Sequence, residues 1–146
     1  METEKSVRKK LLTPKRVRTL VVFLILAAVA AAGFAHQRYL RSDSHIKAVW
    51  EDNKDTFVTA VREIATHGET FGKLSVGKCE KRIGSESGAF ARLEELGISN
   101  VSYDGSDMLF YSEYDHYYIF RTGGESAGRG HETPLDSGWG YIKTKK

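Results

Sequence analysis

The stretch that decides the fold is "ISNVSYDGSDMLFYSEYDHYYIFRT", residues 98–122, in which the sequence pattern follows a period of two. Tyr, Phe, Ile and Val dominate it, as is typical of strands with one buried face. Asp104-Gly105 is the strongest short signal for a two-residue hairpin turn, and "EYDH" at 113–116 reverses the chain again. The stretch therefore predicts three antiparallel strands, and "WGYIK" (Trp139–Lys143) predicts a fourth.

Helical patterns precede these strands. Residues 42–68 place Ile46, Trp50, Phe57 and Ile64 on one stripe at helical spacing, which predicts a single amphipathic helix with a core-facing side. Residues 85–97, "SESGAFARLEELG", predict a second, short helix capped by a serine. Between them, the ambiguous residues 74–79 favour a strand. The predicted fold class is α+β, with two helices packed on a 3–4-stranded antiparallel sheet.

An uncharged segment near the N-terminus, "TLVVFLILAAVAAAGFA", predicts one transmembrane helix before this domain. Its 17 residues span about 25 Å, slightly less than a hydrocarbon core, and Arg18 can extend to the interface. A buried core helix is a weaker interpretation, because a small domain rarely hides a helix that is apolar on every side. The predicted membrane-spanning residues are Thr19, Leu20, Val21, Val22, Phe23, Leu24, Ile25, Leu26, Ala27, Ala28, Val29, Ala30, Ala31, Ala32, Gly33, Phe34 and Ala35.

Charge sets the expected orientation. Residues 1–18 hold seven Lys or Arg against two Glu, a net of +5, so the whole-chain charge of +3 leaves −2 for the rest. The basic leader should stay in the cytoplasm, so the C-terminal domain should lie outside it. The expected location is a bacterial inner membrane, with this domain in the periplasm. The remaining chain is not basic, so the composition gives no support for nucleic acid as a partner.

The same N-terminal segment has a second interpretation as a cleaved secretory signal. Ala30-Ala31-Ala32 and Gly33-Phe34-Ala35 both fit a small-residue cleavage site. The long basic leader and the lack of a helix-breaking residue before Gly33 favour a retained anchor. The expected organisation is a cytoplasmic tail (1–18), a signal-anchor helix (19–35), a juxtamembrane linker (36–44) and an extracytoplasmic α+β domain (45–146).

A possible catalytic motif, "GESAG" at residues 124–128, fits the G-x-S-x-G pattern of a nucleophilic serine, here Ser126. That motif needs a helix directly after the serine, and Gly130 and Pro134 oppose one. His131 follows only five residues later, where the usual order requires an acid and then a distant histidine. We interpret the motif as a chance match and expect no catalytic residues and no enzyme activity.

Polar residues in the turns provide the remaining candidates. Residues 123–138 read as a long loop, and loops of this length are often functional. With the tyrosines of the neighbouring strands, the loop could contact a protein partner. Two carboxylates and two histidines (Asp115-His116 and His131-Glu132) lack fixed ligand spacing, so we expect no metal and no cofactor. The candidate partner-binding residues are Tyr114, His116, Arg129, His131 and Glu132.

The lone cysteine, Cys79, cannot form an internal disulfide, so burial or an intermolecular bridge are its two alternatives. For the whole chain the sequence favours a single-pass membrane protein with a non-catalytic extracytoplasmic module that binds a protein or an envelope component. A freely secreted inhibitor or immunity-type protein is the first alternative. A small envelope hydrolase or metal-dependent enzyme using Ser126, His116 or His131 is the second.

Overall fold

The N-terminal unit contains one long helix. A computed structural model describes residues 14–124 and 131–144 and divides the chain into two units, Met1–Leu40 and Arg41–Lys146. Helix α1 (Pro14–Leu40, 27 residues) includes the whole predicted segment and continues beyond it at both ends. At 1.5 Å per residue it is about 40 Å long, enough to cross a bilayer. Its large apolar side chains are exposed, Phe23 and Phe34 by 68% each. An anchor and a signal sequence both fit this helix.

The second unit begins with two helices, α2 (Asp43–Asp52) and α3 (Lys54–His67), where the sequence predicted one. The helix is interrupted at Asn53, whose φ and ψ of −126° and 21° are not helical. Its side-chain amide donates to the carbonyl of Val49 at 2.8 Å. The asparagine side chain hydrogen-bonds to the backbone and so competes with helix formation. The apolar stripe continues on both sides of Asn53, so the sequence pattern does not show that the helix is interrupted there.

The prediction of a strand over residues 74–79 is wrong in its position. Strand β1 covers Phe71–Ser75, and helix α4 (Val76–Ile83) follows it directly. Val76, Cys79 and Ile83 are spaced by three and four residues, which is a helical period, and the first two are fully buried. Helix α5 (Ala89–Glu95) agrees with the predicted short helix, and the hydroxyl of Ser87 accepts from the amide of Ala89.

The sheet has six antiparallel strands, so the prediction of three or four was too low. After β1 come β2 (Ile98–Tyr103), β3 (Asp107–Ser112), β4 (His116–Arg121), β5 (Glu132–Asp136) and β6 (Trp139–Lys143), in the order β1-β2-β3-β4-β6-β5. The extra strands are β1 and β5. Strand β5 lies inside the predicted loop 123–138, and it carries Pro134 at the edge of the sheet. Proline is tolerated there, but it hides the strand pattern.

The core lies between the helices and one face of the sheet. The ring of Phe57 on α3 contacts Tyr118, Trp139 and Phe110, with centroids 4.9, 5.7 and 5.6 Å away. The hydroxyl of Tyr118 donates to the carbonyl of Ile46 on α2 at 2.8 Å. These contacts are made by alternate residues of the central strands. The residues between them therefore point to the opposite face of the sheet.

Candidate interaction surface

The face of the sheet opposite the helices carries a tyrosine pair at its centre. Tyr111 and Tyr117 are direct cross-strand partners, and their ring centroids lie 5.5 Å apart. The ammonium of Lys73 lies 4.3 Å from the ring centroid of Tyr111, a cation–π distance. Asn100 pairs with Tyr111 on one side, and Ile142 pairs with Tyr117 on the other. We call this surface the open sheet face. Its exposed or half-buried members are Lys73, Asn100, Ser102, Leu109, Tyr111, Tyr117 and Ile142, and Ile119, the partner of Leu109, lies among them and is buried.

Strand alternation explains which tyrosines reach this surface. Tyr118 follows Tyr117 and points into the core, where it is fully buried. Burial raises the pKa of both phenols, and the neighbouring Tyr111 and Glu132 also raise the pKa of Tyr117. Both hydroxyls therefore stay neutral at physiological pH. The open sheet face presents aromatic area and hydrogen-bonding groups with Lys73 as its charged member, a composition typical of interface centres.

An ion-pair network borders the open sheet face. The guanidinium of Arg121 contacts Asp107 at 2.9 Å and Glu132 at 2.5 Å, and the Glu132 side chain is only 1% exposed. The hydrogen bond to Glu132 raises the pKa of Arg121 above its ordinary value. Glu132 lies across Gly140, where an added Cβ would be 2.9 Å from the Glu132 Cγ. The network therefore holds Glu132 within the sheet. Its single guanidinium faces two carboxylates, which leaves a net charge of −1, and Asp107 is the more exposed of the two acids.

His116 lies on the other face of the sheet. Its side chain is part of the core, with 4% of the residue exposed, and its ring packs edge-on against Tyr118 at 5.3 Å. Nδ1 is 3.3 Å from the carbonyl oxygen of Tyr114, which can only accept, so Nδ1 carries the proton. Burial lowers the pKa of His116 from 6.5 to about 4. The imidazole is therefore neutral at physiological pH.

Two of the candidate partner-binding residues, His116 and Glu132, do not share a surface. His116 pairs with Lys143 on β6, and Glu132 pairs with the adjacent residue, Ile142. Successive residues of a strand point to opposite faces, so the His116 and Glu132 side chains lie on opposite faces of the sheet. Both are buried, so neither is presented to a partner. Tyr114 is half-buried in the β3–β4 turn, and His131 is exposed immediately before β5. Arg129 lies outside the described residues.

The sequence pattern did not reveal Lys73 as a surface residue. Tyr111 and Tyr117 were expected only as two of the tyrosines in the strands beside the predicted loop. The strand that carries Lys73 was predicted several residues too late, so its position beside Tyr111 could not be recognised. The only signal in the sequence for this position was a basic residue in a short edge strand. That signal does not indicate a binding surface, because edge strands often carry lysine for solubility alone.

The described residues give little support to the alternative of a hydrolase or metal-dependent enzyme. Within residues 14–124 and 131–144, no three His, Cys, Asp or Glu side chains are placed to share a metal ion. Ser126 lies outside the described ranges. Cys79 is fully buried in α4, and burial raises the pKa of its thiol to about 11. A thiol in this environment is a poor nucleophile and has no access to an intermolecular disulfide.

Comparison of the chain with protein-family models, with curated proteins and with solved structures gave no match.

Proposed function

We propose that this chain is a single-pass membrane protein whose extracytoplasmic α+β domain is a non-catalytic binding module for a protein or envelope component. In this proposal α1 is a retained signal anchor, and its basic leader keeps the N-terminus in the cytoplasm of a bacterial cell. The observation that carries the proposal is a long apolar helix, Pro14–Leu40, in a chain whose second unit packs its own helices on one face of the sheet and bears a tyrosine pair on the other.

The binding role is supported by the composition of the open sheet face. Tyr111 and Tyr117 offer large rings with little side-chain entropy to lose, and Asn100 and Ser102 offer hydrogen bonds beside them. The edges of the sheet are less suited to a partner strand, because β1 is short and irregularly paired and β5 contains Pro134. A partner is therefore expected on the face and not at an edge.

The membrane part of the proposal is tested by location. A reporter enzyme fused after Lys146 should be active only outside the cytoplasm, and the full-length protein should stay in the membrane pellet after alkaline carbonate washing. A cytosolic reporter, or a protein released by the wash, would refute the anchor.

The binding part is tested by affinity capture from membranes of the source cell with the full-length protein. The double variant Tyr111→Ser/Tyr117→Ser should lose a reproducible partner that the wild type captures. A matched double variant on the exposed side of α2, Lys47→Ser/Glu51→Ser, should retain it. Equal capture by both variants would remove the open sheet face from the proposal.

A freely secreted protein remains the alternative, because small residues at Ala30–Ala32 and at Gly33–Ala35 offer cleavage sites. The helix is continuous through both positions and ends only at Leu40, which supports retention. N-terminal sequencing of the protein isolated from cells separates the two. A mature chain beginning near Gly33 or His36 would favour the secreted inhibitor or immunity-type function.

A further inference from the structure

A cleft lies where the C-terminal ends of two helices of the second unit meet. It has a volume of about 430 Å³ and is formed by the last turns of α3 and by the end of α4 with the residues that follow it. Its charged and polar lining residues are Arg62, Glu63, Thr66, His67, Ser85 and Glu86. This volume falls in the range of small-molecule sites, and none of these residues belongs to the open sheet face.

The walls of the cleft are joined by a direct side-chain contact. The hydroxyl of Ser85 donates to the Glu63 carboxylate at 2.7 Å across 22 residues of sequence. Gly68 and Gly84 end the two helices in the left-handed conformation, with φ of 75° and 66°. Both ends are thus held by local backbone geometry, so the cleft is formed before any ligand enters.

Two opposite charges in the cleft have no side-chain partner within residues 14–124 and 131–144. Neither the Arg62 guanidinium nor the Glu86 carboxylate makes an ion pair or side-chain hydrogen bond with any described residue. The C-terminal ends of α3 and α4 add partial negative charge to the cleft, beside the carboxylate of Glu86. One part of the cleft therefore attracts a cation, whereas Arg62 attracts an anion.

We propose that this cleft binds a small zwitterion of the α-amino acid class. Its ammonium group would lie against Glu86 and the helix ends, and its carboxylate would pair with Arg62. Ile83 also lines the cleft and can contact a small apolar side chain. This site stands independently of the function proposed above, since it uses the helices and not the open sheet face.

The experiment is an amide NMR titration of the full-length protein in detergent micelles with L-alanine as the probe. L-Alanine amide lacks the carboxylate, and N-acetyl-L-alanine lacks the ammonium. We expect L-alanine to shift the amides of residues 62–67 and 83–86, and each analogue to bind about tenfold more weakly, the effect of losing one charged contact.

Substitutions assign each end of the ligand. Arg62→Gln should weaken L-alanine about tenfold and leave L-alanine amide unaffected, and Glu86→Gln should weaken L-alanine and leave N-acetyl-L-alanine unaffected. Lys81→Gln and Glu51→Gln are controls on the same helical side of the unit and should leave the affinity unchanged. All four side chains are exposed, so the fold should persist, and tryptophan fluorescence checks it.

Three results would overturn the proposal. One is the absence of shifts in the cleft amides at tens of millimolar L-alanine, and another is equal affinity for all three probes. The third is an unchanged affinity in both cleft variants. None of these results bears on the location of the protein or on the open sheet face.

Discussion

Acidification should destabilise the second unit through His116. The imidazole is neutral in the folded protein, where burial lowers its pKa from 6.5 to about 4. The unfolded chain binds a proton below pH 6.5, and the folded chain does not until about pH 4. The stability is therefore fully present above pH 6.5 and is lost as the pH falls toward 4. Linkage gives a loss of about 2 kcal/mol between pH 7 and pH 5.

Between pH 7 and pH 5, the loss of stability from His116 can be distinguished from the losses caused by protonation of carboxylates. The pKa values of Asp43, Asp104 and Asp136 are lowered below 3.8, so their contributions are lost only in stronger acid. Urea unfolding can be followed by fluorescence of Trp50 and Trp139, the two tryptophans of the chain, both buried in the second unit. The signal is therefore specific to this unit even in the full-length protein.

The control for this prediction is His116→Asn, which removes the titrating group and keeps an amide donor near the carbonyl of Tyr114. Its free energy of unfolding should fall by about 2 kcal/mol less than that of the wild type between pH 7 and pH 5. Equal slopes would refute the reasoning. If the variant does not fold, an NMR titration of the His116 ring in the wild type serves instead, and a pKa near 6.5 would refute it.

Three further predictions concern single contacts, each measured by urea unfolding or by labelling. Tyr118→Phe removes the hydrogen bond to the carbonyl of Ile46 and should cost about 1 kcal/mol; no loss would show that water replaces the bond. Gly140→Ala forces a methyl group against Glu132 and should cost about 2 kcal/mol, and a neutral result would show that Glu132 moves freely. Cys79 should resist alkylation at pH 8 until urea unfolds the unit, whereas rapid labelling of the native protein would contradict its burial.

The central strands were predictable from the sequence because each local signal agreed with the tertiary structure. Asp104-Gly105 gives a hairpin, although three residues (104–106) connect the strands and not the predicted two. The Asp104 carboxylate closes this turn by accepting from the amides of Ser106 and Asp107 at 2.9 and 2.8 Å. The stripe through Trp50 and Phe57 likewise identified the face that packs on the sheet. These predictions needed only side-chain period and turn chemistry.

The two edge strands could not be predicted because their sequences do not carry a strand pattern. Strand β1 contains Gly72 and has irregular pairing between Phe71 and Leu74. Strand β5 contains Pro134 and alternates weakly. Edge strands depend on hydrogen bonds to a neighbour already in place, so tertiary structure and not local propensity sets their position.

The position of β5 changes where a partner is expected. Read as a loop, residues 123–138 would present Glu132 and His131 to solvent together. As the first residue of a strand, Glu132 turns onto Gly140 and pairs with Arg121, so it is not presented to solvent together with the exposed His131. A buried charge held in this way contributes to the sheet and costs too much to remove for binding. The aromatic surface of Tyr111 and Tyr117 needs no such rearrangement, and it is therefore the stronger candidate for the contact.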